Sequence, residues 1–389
     1  MERLAAARAL TIAPRITARP AVTADRYSFA LGGRDDEPDI RRLLREAVFP
    51  GDVRIALERE PDALSGAAIE GDVHQTIVAR QAATSGIAAI ATRSVRQRFV
   101  NGHPAPVGYF SQLRIAAGSR RHRRLLDAGF EYCRRLHEDG AARVYLASVV
   151  SDNVTALKLL TRRASSWPRF LPVAALTTLA IPVRHVRVPS AAPRVAQSSE
   201  DVREAVACLS RNGARHQFSP IWTPDSFDGA IPGLSNTTLR VAERGGRIVG
   251  CAALWDQRAC RQVVVRGYSR PLAMSRWVVN ATARWSGVPT LPPVGRRLEF
   301  GYISQFSVDD DDRDVACALI SAVCESARDS GLDYVAIGLP ADAPLTAAVR
   351  SRFRHRAYRS VLHVAFWPDG EEIVNRLDGR PYLPELATL

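Results

Sequence analysis

The chain has 389 residues, 46% hydrophobic and 24% charged, the balance of a globular protein too long for one ordinary core. No run of about 18 uninterrupted apolar residues occurs, which excludes an ordinary membrane-spanning helix; the most apolar stretch, 171–183, is broken by Thr177, Thr178 and Pro182. The formal net charge is +13, carried almost entirely by arginine, and residues 1–190 hold +11 of it, so anion binding is expected in the first half.

Six cysteines (Cys133, Cys208, Cys251, Cys260, Cys317 and Cys324) stand apart, mostly in apolar segments. They form no C-x-x-C pair and no Cys/His cluster, so no metal site is expected, and reduced buried thiols suit a cytoplasmic setting. Residues 1–22 are rich in Ala, Arg, Thr and Pro and read as a loose arm, although an arginine-rich transit peptide has a similar composition.

A strand at Tyr27–Leu31 leads through Gly32-Gly33 into an acid-opened helix with an apolar stripe at Ile40, Leu43, Leu44 and Val48. Strands follow at 73–80 and 87–100, and a turn at Asn101-Gly102 joins the second to a strand over 107–115. Gly118-Ser119-Arg120-Arg121-His122-Arg123-Arg124 is a basic loop entering a helix, whose apolar residues are Leu125, Leu126, Phe130, Cys133 and Leu136. A helix start presents unpaired N–H groups, and arginine adds bidentate contacts, so this loop reads as a phosphate seat. An apolar strand at 144–150 and a helix from Asn153 capped by Asp152 come next, then a strand or hairpin at 173–183.

A polar joint over 188–200 separates two domains, 23–187 and 201–370, and a tail over 371–389 ends the chain. The second half repeats the order. Helices are expected at 202–209, 276–285, 315–327 and 347–353, and strands at 239–243, 247–256, 262–265, 298–308, 334–339 and 361–367. Trp222, Trp255, Trp277 and Trp285 are expected to pack in the interior. The repeat is visible in letters too. Gly108-Tyr109-Phe110-Ser111-Gln112-Leu113-Arg114-Ile115 aligns with Gly301-Tyr302-Ile303-Ser304-Gln305-Phe306-Ser307-Val308, each octet followed by a charged loop, a helix and an apolar strand.

With this order the chain resembles the GNAT N-acetyltransferase superfamily, as two tandem copies. The resemblance implies an α/β (α+β) fold: two GNAT-like domains, each a mixed, mostly antiparallel sheet flanked by helices, the second degenerate. It implies acetyl-CoA as co-substrate and transfer of an acetyl group to an amine by direct attack. The cofactor-binding positions it implies are Leu113, Arg114, Ile115, Ser119, Arg120, Arg121, His122, Arg123, Arg124 and Asn153. The family's phosphate loop reads Arg/Gln-x-x-Gly-x-Gly/Ala; here Arg120 takes the first position, but Arg123 and Leu125 stand where small residues belong. Asn153 and Ala156 match the family's Asn-x-x-Ala, whereas Leu160 replaces its usual tyrosine acid. The family's frequent glutamate base, near Ser111, is also missing from the strand. Tyr109, Ser111, Gln112 and Tyr145 remain as polar candidates for catalysis, each also explicable as an ordinary strand residue.

In the second copy Asp309-Asp310-Asp311-Asp312 occupies the phosphate-loop position, where it is expected to cap its helix and repel a diphosphate. Three readings stay open at this point: an N-acetyltransferase with a small-molecule or peptide amine acceptor, a non-catalytic CoA-binding or interaction module, and nucleic-acid binding by the basic half. Few aromatics accompany the arginines, so nucleic acid is the least expected partner. No membrane partner is expected, and the second domain either completes the acceptor pocket or makes a homodimer.

Overall fold

The computed structural model describes residues 22–24, 26–119, 123–162, 164–187, 193–229, 231–286 and 290–389. The first half runs β1 (Val22–Ala24), β2 (Tyr27–Leu31), α1 (Glu37–Glu46), β3 (Val53–Glu58), α2 (Ala63–Ala67), β4 (Val73–Gln81), β5 (Ile87–Val100) and β6 (His103–Ile115). It continues with α3 (Arg123–His137), β7 (Val144–Val150), α4 (Val154–Leu160) and β8 (Arg169–Pro182). The second half runs β9 (Arg194–Val195), α5 (Ser199–Gly213), β10 (Leu239–Arg244), β11 (Arg247–Trp255), β12 (Gln262–Tyr268) and α6 (Arg270–Ser286). It ends with β13 (Phe300–Val308), α7 (Arg313–Asp329), β14 (Tyr334–Pro340), α8 (Pro344–Arg352), β15 (Arg356–Phe366) and α9 (Glu371–Asn375).

Local chemistry explains most of these ends. In α1 the buried residues are Ile40, Leu43 and Leu44, the predicted stripe without Val48, and its first turn carries Glu37 and Asp39, which suit a helix N-terminus. Ser198 caps α5 by accepting from the Asp201 N–H at 3.1 Å, and the Asp201 carboxylate accepts in return from the Ser198 N–H at 3.2 Å. Asn153, not Asp152, caps α4, its Oδ1 accepting from the Ala156 N–H at 3.1 Å. The Asn-x-x-Ala spacing is thus that of a helix cap. β3 and α2 have no counterpart in the sequence reading, because they are short and lack a clear period.

Among the described residues thirteen strands form one sheet, in the order β1-β2-β4-β5-β6-β7-β15-β8-β14-β13-β11-β10-β9. Reading outward from the central β15/β8 pair gives the same series in both directions. One way runs β7, β6, β5, β4, β2, and the other β14, β13, β11, β10, β9. The last strand of each half is exchanged: β15 pairs with β7 from Ser360↔Val150 to Phe366↔Val144, and β8 pairs with β14 from Pro182↔Tyr334 to Leu176↔Pro340. Within each half one pairing is parallel, β6/β7 and β13/β14, and the rest are antiparallel. β12 and β3 pair separately across the halves, from Gln262↔Glu58 to Tyr268↔Val53.

The faces of the sheet are buried under helices. Leu125, Tyr132, Cys133 and Leu136 of α3 close one core over β2, β4, β5 and Tyr145 of β7. Leu319, Ile320, Val323 and Cys324 of α7 close the equivalent core over β11, β13 and β14. The six cysteines are free, Cys317 half-buried and the others buried, which agrees with their reading as small core residues. No metal-ligating cluster and no helix long and apolar enough to cross a membrane occur among the described residues. The arm of 1–22 and the joint at 188–200 fall partly outside them. Residues 371–389 fold back through the centre of the molecule, with Ala387, Thr388 and Leu389 buried.

Candidate functional site

The parallel pair β6/β7 is hydrogen-bonded only at Gly108↔Tyr145 and Tyr109↔Leu146, after which the two strands part. The cause lies on β6. Thr92 of β5 faces Ser111 and Ile90 faces Arg114, so Gln112 and Leu113 together oppose Ala91, one extra residue in a β-bulge, and Gln112 takes φ +52°. The bulge twists Leu113–Ile115 away from β7 and opens a wedge between the strand ends. Apolar residues are exposed on both sides of it: Leu113 at 42%, and Val150 and Val154 at 49% and 54%.

Gly108 sets the closed end of the wedge. A Cβ there would lie 2.1 Å from the Tyr145 ring, which is stacked on Phe110 with centroids 4.4 Å apart. Tyr145 is taken up by this packing. Its hydroxyl accepts from Arg93 Nε at 3.2 Å and meets His137 Nδ1 at 3.0 Å, and burial pushes its pKa up to about 12. Arg93 in turn holds Asp139 in a bidentate pair at 2.8 Å.

Of the other expected residues, Ser111 sits immediately before the bulge and donates its hydroxyl to Glu70 Oε2. Glu70 also accepts from Arg59, and both are buried, at 1% and 3% exposure. Burial pulls the Arg59 pKa down against the opposing pull of Glu70. Gly71 makes this placement feasible, because a Cβ there would lie 2.6 Å from the Val95 carbonyl oxygen. Sequence reasoning missed Glu70. Its signal is a lone acid in the run Ala67-Ala68-Ile69-Glu70-Gly71, and it reaches Ser111 only through the fold. Tyr109 is buried nearby, its pKa raised by burial and then by Glu70.

Gln112 accepts from Arg114 Nη2 at 3.2 Å through Oε1. Arg114 also covers the Phe49 ring at 4.8 Å, and burial lowers its pKa to about 10. Ser119 is buried, and its hydroxyl accepts from Gln81 Nε2 at 3.1 Å. Asn153 is exposed at the start of α4. Arg124 is exposed in the first turn of α3; Arg120, Arg121, His122 and the Arg123 side chain lie outside the described residues. Leu113 and Ile115 thus stand on the parted end of β6, and Asn153 stands at the start of α4 just beyond β7.

No family model matches the chain, and no curated protein is similar to it in sequence. Solved structures do match it in three dimensions. Saccharomyces cerevisiae N-myristoyltransferase with bound myristoyl-CoA superposes with a TM-score of 0.57 at 14% identity, over 89% of this chain and 84% of that one. A GCN5-related N-acetyltransferase from Sphaerobacter thermophilus gives 0.51 at 15% identity, over 95% and 100%. A GCN5-related glucosamine N-acetyltransferase region of a fungal multi-domain β-N-acetylglucosaminidase gives 0.58 at 12% identity, over 90% and 38%. The chain has the GNAT fold.

The second GNAT-like half carries the same bulge. Ala253 faces Ser304 and Cys251 faces Ser307, and Gln305 takes φ +46°. β13 and β14 pair from Phe300↔Tyr334 to Tyr302↔Ala336 and then part, as β6 and β7 do. Here, however, the wedge is filled. Glu385 accepts from the Gln305 N–H at 3.0 Å, and Leu386 lies so close to Gly338 that a Cβ there would be 2.7 Å from its own. Ser304 and Gln305 are 0% exposed as a result.

The acidic loop after β13 caps its helix as expected, but its carboxylates are also paired. Asp312 caps α7, accepting from the Asp314 and Val315 N–H groups at 3.0 and 3.1 Å. Asp309 is paired with Arg211 at 2.7 Å, Asp311 with Arg215 at 3.0 Å and Asp312 with Arg244 at 3.0 Å. The Arg211 hydrogen bond holds the Asp309 pKa below the usual carboxylate range. A cavity of about 300 Å³ lies between these side chains. These carboxylates are answered by Arg211 of α5, Arg215 just beyond it and Arg244 of β10, so the occupied wedge, rather than bare negative charge, distinguishes this half.

Proposed function

We propose that the chain is an acyl-CoA-dependent N-acyltransferase in which the first GNAT-like half holds the co-substrate. The observation that carries this is that, among the described residues, no segment enters the wedge at the Gln112 bulge, whereas Glu385 and Leu386 fill the one at Gln305. The pantetheine arm would lie along Leu113–Ile115, with the diphosphate over the α3 N-terminus and Arg120, Arg123 and Arg124. Acetyl is the acyl group in this reading. The enclosed space beside the bulge, lined by Ile40, Leu44, Ala63, Ile90 and Gln112 among others, is about 10 Å³ and offers no channel for a long chain.

The acceptor amine attacks the thioester carbonyl, a C–N bond forms as the C–S bond breaks, and CoA leaves as the thiolate. Ser111 stands at the bulge with its hydroxyl on Glu70. It can take the amine proton as it passes its own to Glu70, from which the thiolate is finally protonated. Tyr109 and Gln112 line the same corner and position the acceptor. Leu160, standing where the family has its tyrosine acid, supports the second reading of a CoA-binding module without turnover.

Isothermal titration with acetyl-CoA tests the assignment. One equivalent is expected per chain, and Arg120→Ala with Arg123→Ala weakens binding by about tenfold or more. Absence of binding by the intact protein defeats the proposal, and two equivalents defeat the distinction between the halves. Ser111→Ala should lower kcat by about 10²-fold with little change in the KM for acetyl-CoA. Acetyl-CoA binding without turnover over a broad amine panel, followed by mass shift, would leave the module reading in its place.

A further inference from the structure

α6 faces the wrong way for a helix of a globular protein. Its outward residues are Met274, Trp277, Val278, Ala281 and Trp285, spaced by three, four, seven and eleven from the first, which is one helical face. Met274, Trp277 and Trp285 are 78%, 74% and 77% exposed. Sequence reading places both tryptophans in the interior. Trp222 and Trp255 are indeed buried, and these two are not. The inward face is instead held by polar contacts. Arg276 Nε and Asn280 Nδ2 both donate to the Leu291 carbonyl, at 3.0 and 3.1 Å, and Asn280 Oδ1 accepts from the Leu291 N–H at 2.7 Å.

The surrounding charge is one-sided. Between Asp256 and Glu299 the sequence contains no acid and eight arginines: 258, 261, 266, 270, 276, 284, 296 and 297. Beside the helix Val294 is 59% exposed. Arg258, Arg266 and Arg297 are met within the fold by Glu299, Glu58 and Glu299, and Arg261 and Arg276 by backbone oxygens, which leaves Arg270 and Arg296 exposed beside the helix. A layer of phosphate headgroups answers these while its acyl boundary takes the tryptophans and Met274. α6 has 17 residues, about 25 Å of helix, and carries arginine within it, so it lies on a bilayer instead of crossing one. The matching region of the first half, between β5 and β6, is the two-residue turn Asn101-Gly102, so the helix is an addition to the repeated fold.

We propose that α6 is an interfacial helix that docks the protein on an anionic phospholipid surface. The test is co-sedimentation of the full chain with phosphatidylcholine vesicles, with and without phosphatidylglycerol, read together with tryptophan emission. The intact protein pellets with the anionic vesicles, its emission shifts to the blue, and raised salt reduces the pelleted fraction. Trp277→Ser with Trp285→Ser lowers the partition coefficient by about tenfold or more. Arg270→Glu with Arg296→Glu and Arg297→Glu removes the preference for phosphatidylglycerol. Intact protein that stays in the supernatant with both vesicles overturns the proposal, as does a tryptophan variant that pellets equally well. Sedimentation velocity without lipid covers the competing occupant: a dimer that Trp277→Ser dissociates would assign this face to a second copy of the chain and overturn the lipid reading. Thermal unfolding of each variant checks that it is folded, and Met274→Ser supplies the same reading should the double variant not be.

Discussion

The two halves share a strand octet, a bulge and a left-handed glutamine, yet Gln112 is half-buried and Gln305 is sealed. Nothing in the octets themselves makes the difference. It comes from residues 384–388, about eighty positions downstream of the second octet, which thread the β13/β14 wedge and supply Glu385 to the Gln305 N–H. The same backbone device thus serves two ends. Left empty it is a slot for an extended ligand; filled by the chain's own segment it becomes part of the core that joins the halves. A substrate site here is a place where the fold stops short of filling itself.

Substitutions at paired positions sharpen that comparison, beginning with the glycines that set each closed end. Gly108→Ala drives a methyl into a tyrosine ring that Phe110, Arg93 and His137 hold in place, 2.1 Å from the new atom. Gly301→Ala meets only the terminal methyls of Leu254 and Leu332, at 3.0 Å. We expect about 3 kcal/mol or more for the first and about 1 kcal/mol for the second by urea denaturation. Equal costs would mean that the two closed ends are built alike. The next pair concerns the bulge. Gln112→Gly relieves a left-handed residue whose side chain is only half-buried, and should stabilise by up to about 1 kcal/mol. Gln305→Gly relieves the same backbone but leaves a cavity where a fully buried side chain stood, and should destabilise by about 1 kcal/mol. The same sign at both positions would show that the filled wedge adds nothing to packing.

Much of this was legible beforehand, and for identifiable reasons. The strands at 27–31, 87–100 and 144–150 are continuous apolar or alternating runs bounded by turn residues, and they appear at those limits. The octet repeat shows in letters because the bulge constrains them: glycine where β6 meets Tyr145, and glutamine where the backbone turns left-handed. What stayed hidden depends on contacts far apart in sequence. Glu70 meets Ser111 across 41 residues, and the exchange of β8 and β15 between halves leaves no trace in either strand's pattern. The Asp309–Asp312 run reads as isolated charge until α5, the residues just after it and β10 bring Arg211, Arg215 and Arg244 beside it. Trp277 and Trp285 defeat the rule that large apolar residues are buried, since a functional surface breaks it.

The smallest expected effect concerns the plug itself. Burial holds the Glu385 pKa above the usual carboxylate value, against Ser304, the Gln305 N–H, Arg96 and Arg98, which all act to lower it. An acid whose pKa rises on folding binds its proton more tightly in the native state. Its contribution is therefore fully present below the unfolded value near 4.5 and is lost as pH rises through the folded value. Glu385→Gln removes that loss while keeping an acceptor for the Gln305 N–H. The variant's urea midpoint should match or fall below the wild type at pH about 4 and gain on it as pH is raised toward 8. A difference that is flat with pH would show that Glu385 stays charged at no cost, held by Arg96 and Arg98. The second wedge would then be closed by an ion cluster, and the contrast between the halves would be electrostatic after all.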